Sequence, residues 1–87
     1  MPDEVWASIQ QHAGQEFRTI GNRPFTYESM GPNTIKVIRP TFTHLVGRAV
    51  LDRAYDRLPL AGPGEIADLH ASSYVWAILN DNRIIHP

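Results

Sequence analysis

The 87-residue chain contains no cysteine. That absence excludes disulfide bridges and thiolate metal sites, and it fits a reducing compartment. No apolar run approaches the roughly 18 residues that a membrane span requires. The opening Met1-Pro2-Asp3-Glu4 is acidic, unlike the basic start of a signal peptide. A cytoplasmic location with no membrane partner is therefore expected.

Signatures of catalysis are missing as well. No Gly-x-Ser-x-Gly elbow presents a serine nucleophile. Gly62-Pro63-Gly64 follows no strand pattern and carries no Lys-Ser/Thr, so it reads as a linker rather than a phosphate loop. His12, His44, His70 and His86 are scattered, with no pair at metal-ligand spacing. Asp68, His70, Ser72 and Ser73 include the residue types of a hydrolytic triad. A Ser and a His two positions apart on a helix, however, do not face each other. The expectation is a protein that is not an enzyme, with no catalytic residue, metal or cofactor.

What is present is the make-up of a folded chain. Hydrophobic residues are 43% and charged residues 20%, near globular averages, which argues against disorder. The length suits a single compact domain over residues 1–87, and a domain this small buries only about 60–65% of its unfolded surface.

The pattern along the chain predicts an α+β fold. Residues 3–13 repeat Val5, Trp6, Ile9 and Ala13 at helical spacing, with Asp3 as a cap and Gly14 as the residue that ends the helix. Residues 16–20 and 25–29 read as strands around the turn formers Gly21-Asn22-Arg23-Pro24. Met30-Gly31-Pro32-Asn33 is a second turn, and residues 34–39 form a third strand rich in β-branched side chains. Alternation puts Phe17, Thr19, Phe25, Tyr27, Ile35 and Val37 on the face that packs against helices. Arg18, Ile20, Thr26, Glu28, Lys36 and Ile38 fall on the wet face. The reverse assignment would turn the sheet into an aromatic platform flanked by cations.

Pro40 ends the strand, and Thr41 or Thr43 caps a long helix to about Leu58. Its apolar stripe of Phe42, Leu45, Val46, Ala49 and Val50 gives way to an opposite one of Leu51, Ala54, Tyr55 and Leu58, so this helix is expected to be covered on two sides. After a Pro/Gly linker, residues 65–80 are helical, with a break near Ser72 where Ser72 or Ser73 caps a last helix. Ile84 and Ile85 tie down the tail. The whole is an α-β-β-β-α-α order: a three-stranded antiparallel sheet with helices packed on one face. The first five elements are similar in order, though not in motif, to double-stranded-RNA-binding domains. The lysine-rich helix start of that family is absent from Arg39-Pro40-Thr41-Phe42-Thr43-His44.

The net charge of −1 hides an imbalance. Residues 17–48 hold Arg18, Arg23, Lys36, Arg39 and Arg48 against one acid, Glu28, while both flanks are net acidic. Placed on the elements, Arg18, Arg23, Lys36 and Arg39 form a candidate nucleic-acid-binding set on the wet face, a hairpin tip and a strand end. Such cations neutralise phosphates and release counterions. The bland reading is that they are solvated surface charge, with Glu28 paired across the sheet to Arg18 or Lys36. The pI of about 6.4 also lies below the value of about 9 common in nucleic-acid-binding domains. The alternative function is a protein-interaction or self-associating domain, with a protein partner or homodimer. Its basis is the two-sided helix and the large side chains of Trp6, Tyr74 and Trp76.

Overall fold

The computed structural model describes residues 1–85. His86, one of the four histidines considered above, lies outside them.

Helix α1 spans Asp3–Gln11 and buries Trp6 and Ile9. Asp3 and Glu4 lie in its first turn, where carboxylates favour the helix dipole. Pro2 occupies the cap position, so Asp3 is inside the helix rather than its cap and is free to pair elsewhere. Gly14 follows at φ +88°, the left-handed turn that a glycine accepts without strain, and its N–H donates to the Tyr27 carbonyl at 2.8 Å.

The hairpin forms with a shorter first strand than expected. β1 is Phe17–Arg18 and β2 is Pro24–Ser29, paired Phe17 to Phe25 and Arg18 to Pro24. The strand stops early because Thr19 already belongs to the turn: its N–H donates to the Arg23 carbonyl, and Asn22, at φ 63°, donates to the Thr19 carbonyl. β3, Thr34–Ile38, pairs with β2 so that Glu28 faces Lys36 and Thr26 faces Ile38.

The main departure from the sequence reading comes next. Residues 43–47 are not the start of a long helix. They are a fourth strand, β4 (Thr43–Gly47), antiparallel to β3, with Lys36 opposite Leu45 and Val37 opposite His44. Pro40-Thr41 is the two-residue tip of a β3–β4 hairpin closed by the Arg39 N–H on the Phe42 carbonyl at 2.9 Å. Helix α2 is only Arg48–Tyr55, burying Leu51 and Ala54. Phe42, Leu45 and Val46 fit helical spacing with Ala49 and Val50, but Phe42, His44 and Val46 also alternate with Thr43 and Leu45. The strand wins because pairing with β3 puts Val46 into the core and satisfies the backbone of the whole segment. The first stripe is therefore split: Leu45 and Val46 lie in β4, with Phe42 just before it, while Ala49 and Val50 belong to α2. With β4 in that place, the order similarity to double-stranded-RNA-binding domains also ends after the third strand.

The sheet is a four-stranded meander, β1-β2-β3-β4. A short 3-10 turn, Pro63–Ile66, and helix α3, Ser72–Leu79, complete the described chain. The helical run expected over residues 65–80 is not there: residues 67–71 are turns and bends, Ala71 in the left-handed region occupies the cap position of α3, and no serine side chain caps it. Phe17, Phe25, Tyr27, Ile35, Val37 and Val46 point into the core beside Ile9, Leu51, Ile66 and Ile78. The aromatic face of the sheet is thus the covered one, and the aromatic-platform alternative does not apply. Trp6 is buried, its indole N–H donating to the Pro32 carbonyl at 3.0 Å, so it offers no surface to a partner. Ile84 is buried as expected of the tail.

Candidate functional site

The four candidate cations lie in three settings. Arg18 projects from β1 on the outer face, and its guanidinium donates to the Glu16 carboxylate at 3.0 Å and to the Asn22 carbonyl at 3.3 Å. Lys36 sits in the middle of the outer face, directly across from Glu28 in the β2–β3 register, with nitrogen and oxygen 3.9 Å apart. Arg39 folds back at the end of β3 and donates to the Pro24 carbonyl at 2.5 Å, while its Nε is shielded from solvent without a partner. Arg23 has no ion pair among the described residues and lines a groove on the helix side with Tyr74 and Ser73. Arg39 and Pro24 line an open cleft of about 340 Å³ together with Glu16, Thr26 and Ile38. Arg18, Arg23 and Lys36 do not line it.

Of the remaining arginines, Arg48 and Arg57 are structural ties. Arg48 donates to Asp3 at 2.8 Å and lies 5.6 Å from the Trp6 ring centre, linking α2 to α1. Arg57 forms a two-pronged pair with Asp68 at 2.6 and 2.8 Å, and the hydrogen bonds from Arg57 hold the Asp68 carboxyl below its ordinary range. Asp68 is therefore committed to Arg57, and nothing here builds the Asp-His-Ser arrangement whose residue types the sequence contains.

The histidines behave differently from their sequence spacing. His44, on the inner side of β4, packs edge-to-face on His70 with ring centres 5.5 Å apart, and Tyr74 and Phe42 complete an aromatic cluster. Two histidines fall short of a metal shell, and among the described residues no group of three His, Cys, Asp or Glu side chains could hold an ion.

A feature that the sequence reading missed is the free edge of β4. On one side β4 pairs with β3; on the other no strand pairs with it among the described residues. In an antiparallel ladder, hydrogen-bonded and non-hydrogen-bonded pairs alternate. The Arg39 N–H bonds the Phe42 carbonyl, and the Arg48 N–H bonds the Asn33 carbonyl at 2.8 Å. With the register between them fixed, Phe42, His44, Val46 and Arg48 direct their backbone groups at β3. Thr43, Leu45 and Gly47 consequently direct theirs away from the sheet. Leu45 is 60% exposed, Phe42 just before the strand is 43% exposed, and a methyl group added at Gly47 would meet open space. Proteins usually protect such edges with charge, proline or a bulge. Thr43-His44-Leu45-Val46-Gly47 has neither a proline nor an Asp, Glu, Lys or Arg. By contrast, the opposite edge, β1, is two residues long and carries the Arg18–Glu16 pair. The signal was available in the sequence as the period-two alternation of residues 42–46, but the helical spacing of the same residues masked it.

Comparison with protein-family models, curated proteins and solved structures gave no match.

Proposed function

We propose that this chain is a non-enzymatic protein-interaction module that docks an extended segment along β4. The observation that carries the reading is the uncharged free edge with Leu45 standing out of it. Strand addition of this kind draws affinity from main-chain hydrogen bonds and specificity from alternate side chains. Here Thr43, Leu45 and Gly47 supply the main-chain groups, and Leu45 supplies the apolar anchor on the outer face. The test is an amide chemical-shift titration with short extended peptides of alternating apolar and polar residues. Shifts concentrated on residues 43–47 are expected. Shifts absent there, or spread evenly over the surface, would sink the reading.

Nucleic-acid binding through Arg18, Arg23, Lys36 and Arg39 is the second reading. What favours it is that neither Arg23 nor Arg39 has an acid partner among the described residues. Against it, Arg18 and Lys36 are each engaged by a carboxylate. Anisotropy titrations of DNA and RNA at about 50 and about 200 mM salt separate the two readings, because phosphate contacts weaken steeply over that range. Salt-sensitive binding would reverse the ranking.

A further inference from the structure

Resting on the interaction reading above, we infer that the segment β4 receives is β4 of a second copy of this chain, in antiparallel orientation about a two-fold axis through Leu45. An edge strand is self-complementary in that orientation, since each copy presents the same donors and acceptors running in opposite directions. The register follows from which groups face outward. Centred on Leu45, the pair sets Leu45 against Leu45 and Thr43 against Gly47, and every outward N–H and C=O of the strand is used. Moving the axis to His44 or Val46 leaves an outward residue at one end unmatched.

The side chains agree with the same register. The two exposed Leu45 side chains would lie next to each other on the outer face, each covering apolar surface that the single chain leaves in water. On the inner side His44 would face Val46. Arg48, next to the strand in sequence, would lie beyond its end, across from Phe42 rather than another cation, and it is already held by Asp3; Lys36 stays one strand back from the seam, opposite Leu45. No like charges meet. Gly47 leaves room for Thr43 of the other copy, because no atom lies within 4 Å of where its Cβ would stand.

The pairing of two such short strands is small compared with the roughly 1,200 Å² of a stable interface. Association is therefore weak and concentration-dependent.

The absence of cysteine makes the test direct. Leu45→Cys introduces the sole thiol, and hydrogen-bonded antiparallel partners have Cα atoms about 5.5 Å apart, within disulfide range. Ile20→Cys, at an equally exposed position away from the edge, is the control. Under mild oxidation, Leu45→Cys is expected to form a linked dimer at least about tenfold faster than Ile20→Cys. Sedimentation velocity from about 10 µM to about 1 mM should show the wild type moving from monomer to dimer, whereas Leu45→Glu, which faces Lys36 within the chain but sets two carboxylates face to face across the axis, stays monomeric with an unchanged far-UV spectrum. Equal crosslinking of the two cysteine variants, or a wild type monomeric throughout, overturns the second copy as partner. If peptides still shift residues 43–47 in that case, the interaction module survives with a different partner; if they do not, both readings fall.

Discussion

Arg83 donates through Nε and Nη2 to the two carboxylate oxygens of Asp81, each at 2.9 Å. Its Nη2 also reaches the Glu16 carbonyl at 2.9 Å, and the guanidinium lies 4.0 Å from the Phe17 ring centre. One side chain thus joins the tail to the loop before β1 and covers a core aromatic. A lysine has neither the fork nor the flat face. Arg83→Lys is expected to cost about 1–2 kcal/mol and Arg83→Ala somewhat more, read as a lowered midpoint in urea. The hydrogen bond from Arg83 holds the Asp81 carboxyl below its ordinary value. A carboxylate depressed in the folded state contributes stability above its unfolded pKa, about 3.9, and that contribution is lost as pH falls through the lower folded value. The thermal midpoint of the wild type should therefore fall more steeply below about pH 4 than that of Asp81→Asn. Tyr27 has the opposite sign. Its phenol is buried and donates to the Ile9 carbonyl at 2.6 Å. Burial pushes its pKa up, and the nearby Arg83 offsets this only in part. The neutral form is the stable one, so stability is complete below about pH 10 and declines above it. Tyr27→Phe should cost about 1–2 kcal/mol at neutral pH and remove that alkaline decline.

At the scale of elements, two glycines make a contrast that sequence alone does not reveal. Gly31 turns the chain between β2 and β3 at φ +81°, where a side chain is strained. Gly47 joins β4 to α2 with φ −76° and ψ 152°, ordinary extended backbone, and has open space around it. Gly31→Ala is expected to destabilise by about 1 kcal/mol, while Gly47→Ala should be close to neutral, because restricting the unfolded chain is offset by placing Ala at the α2 cap position. Thermal melts should show a clear downward shift for Gly31→Ala alone. The elements legible in the sequence were those with one consistent period. β2 and β3 alternate cleanly between core and surface, and α1 repeats Trp6 and Ile9 with a glycine just beyond its end. Residues 42–46 satisfied two periods at once, and their choice between them depended on β3, a partner that local spacing does not encode. Pro40 reads equally well as the end of a strand before a helix and as the first residue of a tight turn.

For the whole molecule, the charge distribution was legible and its arrangement was not. Cations concentrated in residues 17–48 lose much of their excess once folding brings acids from elsewhere. Asp3 comes to Arg48 across 45 positions of sequence, Glu28 reaches Lys36 across the β2–β3 pair, and Glu16 reaches Arg18 two residues along the chain. Exposed pairs of this kind contribute little to stability, about 0–1 kcal/mol each, yet each reduces the field that a phosphate would meet. The free edge escaped notice for the complementary reason. Its significance lies in backbone groups pointing outward, and these exist only once the residues are known to form a strand.

The meander also governs how the chain reaches this structure. Each strand's partner is its neighbour in sequence, so every hairpin closes a short loop at low entropic cost. The ties that hold α1 and the tail reach much farther, from Trp6 to Pro32 and from Arg83 to Gln15. A barrier crossed by the sheet would be insensitive to the tail. Arg83→Ala should then leave the folding rate in water nearly unchanged and place almost its whole effect in faster unfolding, seen in stopped-flow chevrons as a shift of the unfolding arm alone. The strands would set the pace of folding, and the Arg83 tie would act as a latch that determines how long the native state lasts.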